Sequence, residues 1–195
     1  MAGSWAAADG AATRAGGVVG RAAAFPLGVG AADFPAVEEA LAEEAPVQVG
    51  DMKAREFLSQ LQHDAIVRAI GQAEQKTSGE IRVFISRKEP EDPVPAAQKV
   101  FLHLGMHKTK EKNGVLIFVA PKVRKFAIIG DAGVHARCGD EFWKEVAGEI
   151  STRFRKQDFS DGILHGIARA GQLLAEHFPR HPGDKNQLPD DIAHD

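Results

Sequence analysis

The chain has 195 residues, 44% of them hydrophobic and 26% charged, which is the balance of a globular fold. Its net charge of −3 excludes a nucleic-acid binder that works by bulk electrostatics, and its one cysteine, Cys138, excludes a disulfide framework or a multi-cysteine zinc site. No run approaches the roughly 20 apolar residues that span a bilayer.

Composition divides the chain before any periodicity is considered. The first fifty residues contain 16 alanines, 8 glycines and no lysine, and show no sustained helical or strand period. Of the net charge of −3, residues 1–51 carry −5 and residues 180–195 carry −2, which leaves +4 on residues 52–179. The leader begins without a base and meets Asp9 early, unlike a secretory signal. Its Glu38, Glu39, Glu43 and Glu44 are wrong for a transit peptide. A disordered Ala/Gly-rich leader over 1–51, a domain over 52–179 and a polar C-terminal tail over 180–195 are expected.

From Asp51 the period becomes helical. Leu58, Leu61, Ala65, Ala69 and Ala73 mark one face, widened by Phe57, Ile66 and Ile70, until Thr77, Ser78 and Gly79 stop the helix. Glu80–Arg87 then alternates as a half-covered strand, with Ile81, Val83 and Ile85 inward. Pro90, Pro93 and Pro95 break the chain, and Ala96–Met106 reads as a short helix. A basic loop leads into Gly114–Ala120, whose unbroken apolar run predicts a strand buried on both faces. The turn Pro121–Val123 joins it to Arg124–Gly130 as an antiparallel hairpin. Two helices follow. The first is striped by Phe142, Trp143, Val146, Ala147, Ile150 and Phe154 with Asp140 as N-cap, and the second by Leu164, Ile167, Ala168, Gly171, Leu174 and Phe178 with Ser160 as cap. The order αβαββαα predicts an α/β fold, an α/β/α sandwich with helices on a small mixed sheet whose first two strands are parallel.

Chain direction groups polar residues at two sheet edges. Glu80 starts the first strand, Asn113 precedes the second, and Asp131 ends the third, which returns to the same edge, with His135, Asp140 and Glu141 close behind. Ca²⁺ and Mg²⁺ take several oxygen ligands, and Glu80, Asp131 and Asp140 are the candidate metal ligands. Asp131 can equally serve a Gly-flanked turn, and Asp140 a helix cap. The opposite edge gathers Arg87, Lys88, Lys122, Arg124 and Lys125, a candidate anion site or a solvated hairpin tip. His103 and His107 stand four apart, but Leu104 follows the first where a zincin needs glutamate. Cys138 lacks the arginine spacing of a cysteine phosphatase, since Lys144 stands at that place. No nucleophile elbow, phosphate loop or dinucleotide fingerprint occurs, so no catalytic residue is assigned.

The runs KTSGEIRVFI, LGMHKTKEKNGVLIFVA, RKFAIIGDAGVH, GDEFW, FSDGILHGI and NQLPDDI, in that order over about residues 53–193, resemble the TPM domain family, and within it the small soluble bacterial branch. The resemblance implies an α/β/α sandwich. It also implies calcium or other divalent-cation binding in some members, acid phosphatase activity in some plant members, and accessory roles in membrane complexes in others. Many members carry Gly-Tyr-Gly after the third strand, where this chain has Gly130-Asp131-Ala132-Gly133. The expected function is therefore a cytoplasmic, divalent-cation-binding interaction or accessory domain with a protein partner and Ca²⁺ or Mg²⁺ as cofactor. The alternative is a metal-assisted phosphomonoesterase. Composition reads the tail as flexible, whereas the resemblance has Leu188 and Ile192 docking on the body.

Overall fold

The structure is a computed structural model that describes residues 54–184, 186 and 188–195. The leader expected over 1–51 lies outside the described residues. Helices α1 (Ala54–Gln60) and α2 (His63–Glu74) lead into β1 (Glu80–Ile85), and α3 (Pro93–His103) connects it to β2 (Gly114–Ala120). Then come β3 (Lys125–Gly130), α4 (Ala132–Arg155), α5 (Phe159–His177) and a three-residue β4 (Ile192–His194). The sheet order is β3-β2-β1-β4. As the sequence predicts, β1 and β2 are parallel and β2 and β3 antiparallel. The fourth strand, parallel to β1, was not anticipated.

Two cores sandwich the sheet. Ile81, Val83, Ile85, Val115, Ile117, Phe126 and Ile128 face α1, α2, α4 and α5, where Ile66, Ile70, Trp143, Ile150, Ile167 and Leu174 are buried. Phe84, Leu116, Phe118, Ala127 and Ile129 face α3, where Ala97 and Phe101 are buried with Met106. Covering both faces buries all six residues of β1, so the half-exposed strand expected from alternation becomes an interior one.

Five local expectations are corrected. The single first helix is two, broken at Leu61–Gln62, where Ser160 Oγ accepts the Gln62 N–H at 3.0 Å; that serine does not cap α5, whose N-cap is Asp158. Pro93 does not break the chain but opens α3, with Asp92 capping Val94 N–H at 2.9 Å; the first turn of a helix needs no N–H from its residues. The helix after β3 starts at Ala132 with Asp131 as N-cap, not near Asp140, and is interrupted at Gly139 (φ 69°). Finally, α5 buries Gly162, Ile163, Gly166, Ile167, Ala170, Leu173 and Leu174, leaving Ala168 exposed.

Candidate functional site

The strand-start edge is built around the junction of β3 and α4. Asp131 N–H bonds Gly114 O at 2.9 Å, extending the β2–β3 ladder by one position. Its Oδ1 accepts the Ala132 N–H at 2.7 Å, satisfying one of the orphan donors at the start of α4. Its Oδ2 is buried and has no hydrogen-bond partner among the described residues. Burial pushes the Asp131 carboxyl up from its ordinary value, opposed by the Ala132 N–H and the charges of Lys112 and His107. Alpha-helix α4 can begin here only because residue 133 is glycine. A β-carbon at Gly133 would overlap the carbonyl oxygens of Glu111 and Lys112, at 2.6 Å from the latter. That loop holds itself in place: Lys112 sits at φ 54°, and its Nζ bonds His107 O.

Asn113 lies beside this junction, 1% exposed. Its N–H bonds Thr109 Oγ1 at 3.2 Å, and its Nδ2 donates to Ser78 Oγ at 3.1 Å and to Glu111 Oε2 at 3.5 Å. Those donations fix the amide with Oδ1 buried and without a donor among the described residues. Two inward-turned acceptor oxygens, Asp131 Oδ2 and Asn113 Oδ1, thus lie at the ends of neighbouring elements.

Glu80 reaches the same end of the sheet but a different neighbourhood. Its register partner is Gly114, which in turn stands opposite Asp131, so the three positions form a row on one face. The space over Gly114 is filled: a β-carbon there would lie 3.3 Å from Phe101 Cζ and 3.4 Å from Met106 Cε. Glu80 is 2% exposed and interacts electrostatically with Glu74 and Arg82. Glu74 is itself buried; its Oε1 accepts the Ile81 N–H at 2.7 Å, and Asp190 lies within hydrogen-bonding reach of its carboxyl. Burial is the main cause that pushes Glu74 up to about 9, with Asp190 and Glu80 adding to it. Burial pulls the Arg82 guanidinium down, and Asp191, Glu74, Glu80 and Asp190 oppose that. Sequence reasoning missed this cluster because alternation put Arg82 on a solvent face. An arginine inside an otherwise apolar strand was the available signal.

The third predicted ligand, Asp140, follows the interruption at Gly139, and its side chain lies outside the described residues. Among the described residues, no three His, Cys, Asp or Glu side chains form a group able to hold a metal. The acceptors without a donor at the β3–α4 junction are one carboxylate oxygen and one amide oxygen among the described residues, with the Glu111 carboxylate engaged by Asn113 Nδ2 beside them.

The opposite edge gathers the predicted basic residues, and several are engaged. Lys122 Nζ pairs with Glu89 at 2.9 Å, Lys125 Nζ donates to Glu91 O at 2.6 Å, and Lys88 Nζ meets Asp195 Oδ2 at 3.1 Å. Arg87 gives its backbone N–H to Asp195 Oδ1 at 2.6 Å. Arg124 turns the hairpin at φ 54°. Burial works to raise the Asp195 carboxyl, yet the Arg87 N–H and Lys88 hold it below its ordinary value. His103 and His107 do not share a helical face: α3 ends at His103, and Gly105 (φ 73°) turns the chain before His107. Cys138 is half-buried with Sγ 3.2 Å from Val134 O.

The family model for the TPM domain matches residues 52–173, and the chain belongs to that family. Among solved structures it is similar to the BA42 protein from the psychrophilic bacterium Bizionia argentinensis, at 40% identity over 68% of this chain and 92% of that one, with a TM-score of 0.64. It is also similar to the N-terminal domain of a protein from P. gingivalis, at 19% identity over 77% of this chain and 96% of that one, with a TM-score of 0.48. No curated protein matches it. No described helix is long and apolar enough to cross a membrane.

Proposed function

We propose that this TPM domain is a divalent-cation-binding interaction module whose cation lies at the β3–α4 junction and whose partner is a protein. The observation that supports the reading is the pair of buried acceptors, Asp131 Oδ2 and Asn113 Oδ1, neither of which meets a donor among the described residues. A buried acceptor left unsatisfied costs about 1–3 kcal/mol, more when charged. Ca²⁺ and Mg²⁺ are bound by carboxylate, amide and carbonyl oxygens, so a cation reached by both side chains would relieve both oxygens. Asp131 and Asn113 would hold it, and Asp140, directly after the α4 interruption, is the residue proposed to complete the set. Lys112 is the competing positive charge, so binding at this site works against it. Glu80 stays with Glu74 and Arg82. Nothing in the sequence supplies an activated nucleophile, which favours binding over turnover.

The test is an NMR titration of the full chain with Ca²⁺ and with Mg²⁺. Saturable shifts centred on the amides of residues 109–114 and 130–133, lost in Asp131→Asn, are expected. A spectrum unmoved at millimolar cation, or shifts that survive Asp131→Asn, would overturn the reading.

A further inference from the structure

The C-terminal segment contacts the body as a short peptide contacts a receptor, through three anchors in six residues. At its start, Asp190 reaches the Glu74 carboxyl and sits so close over α2 that a β-carbon at Gly71 would lie 3.0 Å from its Oδ2. Asp191 meets His63 Nε2 at 3.3 Å and acts electrostatically on Arg82. In the middle, Ile192 is 3% exposed, inserted in the larger core opposite Val83. At the end, Asp195 takes the Arg87 N–H at 2.6 Å, the Ser86 hydroxyl at 3.4 Å and the Lys88 ammonium at 3.1 Å. Between the anchors runs a parallel ladder of three positions, Val83↔Ile192, Phe84↔Ala193 and Ile85↔His194.

The hold is short compared with what it covers. Strand β1 has six buried residues, and β4 pairs with three of them. Higher up the same strand, the Ile81 N–H is taken by the Glu74 side chain. One of the anchors brings two carboxyl groups together, a contact that needs a proton on one of them. Segments with few buried apolar contacts lie at the low end of local stability and open without global unfolding.

We propose that the outer edge of β1 is a receptor for an extended acidic peptide, and that residues 188–195 fill it in cis. A partner segment with two adjacent carboxylates, an apolar residue next to them, and a third carboxylate three positions on would displace the tail by adding its own strand to β1. Backbone pairing supplies affinity. His63 and Arg82 at one end, with Lys88, the Ser86 hydroxyl and the Arg87 N–H at the other, select the acidic pattern. This inference does not depend on the cation reading, whose site lies on the far side of β2 from this edge.

The test uses a fluorescent peptide of sequence Leu-Pro-Asp-Asp-Ile-Ala-His-Asp, copied from residues 188–195, and the full chain as wild type and as Ile192→Ser. A tethered ligand acts at an effective concentration of the order of millimolar, so the cis tail suppresses binding in trans. Saturable anisotropy with folded Ile192→Ser, at least tenfold weaker with wild type and absent for a peptide whose Ile is Ser, is expected. No saturable binding to the folded variant, or equal binding to both chains, would overturn the proposal. Hydrogen exchange on the wild type decides independently of any variant. The slowest amide within Ile192–His194 is expected to exchange at least a hundredfold faster than that of Ile117 in β2. Equal rates would mean that the tail leaves only on global unfolding, and the proposal would fall.

Discussion

The two ends of the sheet carry comparable numbers of charged and polar groups and treat them in opposite ways. Where β1 and β2 begin, Glu74, Glu80, Arg82, Asn113 and Asp131 are all buried. Where those strands end, the basic residues are exposed or half-exposed; Lys88 is 79% exposed although it is paired. An exposed ion pair is worth little because water and salt compete with it. A buried polar group has no such alternative and is costly when unmatched. A cation site is therefore to be sought at the first end, where acceptors have been turned inward, rather than at the end with the more conspicuous charge.

The largest way to break that first end is through its backbone. Gly133→Ala places a β-carbon against the Glu111 and Lys112 carbonyls, which cannot rotate away. Moving that loop off α4 is expected to cost about 3 kcal/mol, a fall of about 10 °C in Tm by calorimetry. Gly148→Ala, in the same helix, where an added β-carbon would meet no described atom within 4 Å beyond the nearby backbone, is the control. It is expected to stabilise by up to about 1 kcal/mol, because alanine is the better helix former.

The second effect is read in pH. Glu74 is raised from its ordinary 4.5 to about 9, so between those values the unfolded chain ionises while the folded one keeps its proton. The folded state binds more protons, and stability falls as pH rises across that window, levelling off above about 9. The slope from one such proton is at most about 1.4 kcal/mol per pH unit. Glu74→Gln, which keeps an acceptor for the Ile81 N–H and cannot ionise, is expected to flatten the curve between pH 5 and 9 in urea denaturation. An unchanged slope would show that Glu74 is ionised in the fold.

How much of this was legible in the sequence follows from what each signal reports. Periodicity found three strands and their directions because Ile81-Val83-Ile85 and the run Gly114–Ala120 are each consistent over several residues. It missed β4, since Ile192 is one apolar residue in a polar, proline-broken segment whose pairing partner lies about 110 positions earlier. Gly133 counted only as one flank of a possible turn at Asp131, because glycine usually marks one. Here the glycine opens a helix for lack of space, a reason set by the loop 109–113 across the gap. Asp131 and Asn113 were placed at one edge by chain direction alone, but Glu80 was grouped with them on the same ground. Only the packing of Phe101 and Met106 over Gly114 shows the row to be interrupted.

The third prediction separates charge from shape at the proposed site. Burial disfavours the Asp131 carboxylate more than Lys112 and His107 favour it. Asp131→Asn keeps an oxygen for the Ala132 N–H and removes the charge. Without added cation the variant is expected to be as stable as wild type or more so, by up to about 1 kcal/mol. With millimolar Ca²⁺ the order is expected to reverse, because ligand binding raises only the wild-type Tm by mass action. Parallel Tm curves with and without Ca²⁺ would remove Asp131 from the site.

The smallest effect belongs to the opposite end, and its smallness is the point. Lys122 pairs with Glu89 at 2.9 Å, but their side chains are 35% and 63% exposed, so water screens what the geometry offers. Truncating Lys122 to alanine removes a charge that water already serves and leaves Glu89 free to be solvated. The expected change is within about 0.5 kcal/mol, and smaller still at 0.5 M salt, where the Debye length shrinks below the size of the pair. The Ca²⁺ response should be untouched, because the residue lies a full strand length from Asp131. A loss of stability above 1 kcal/mol in Lys122→Ala, measured by urea denaturation at low salt, would mean that this edge is held by charge after all. The contrast between the two ends would then be one of degree.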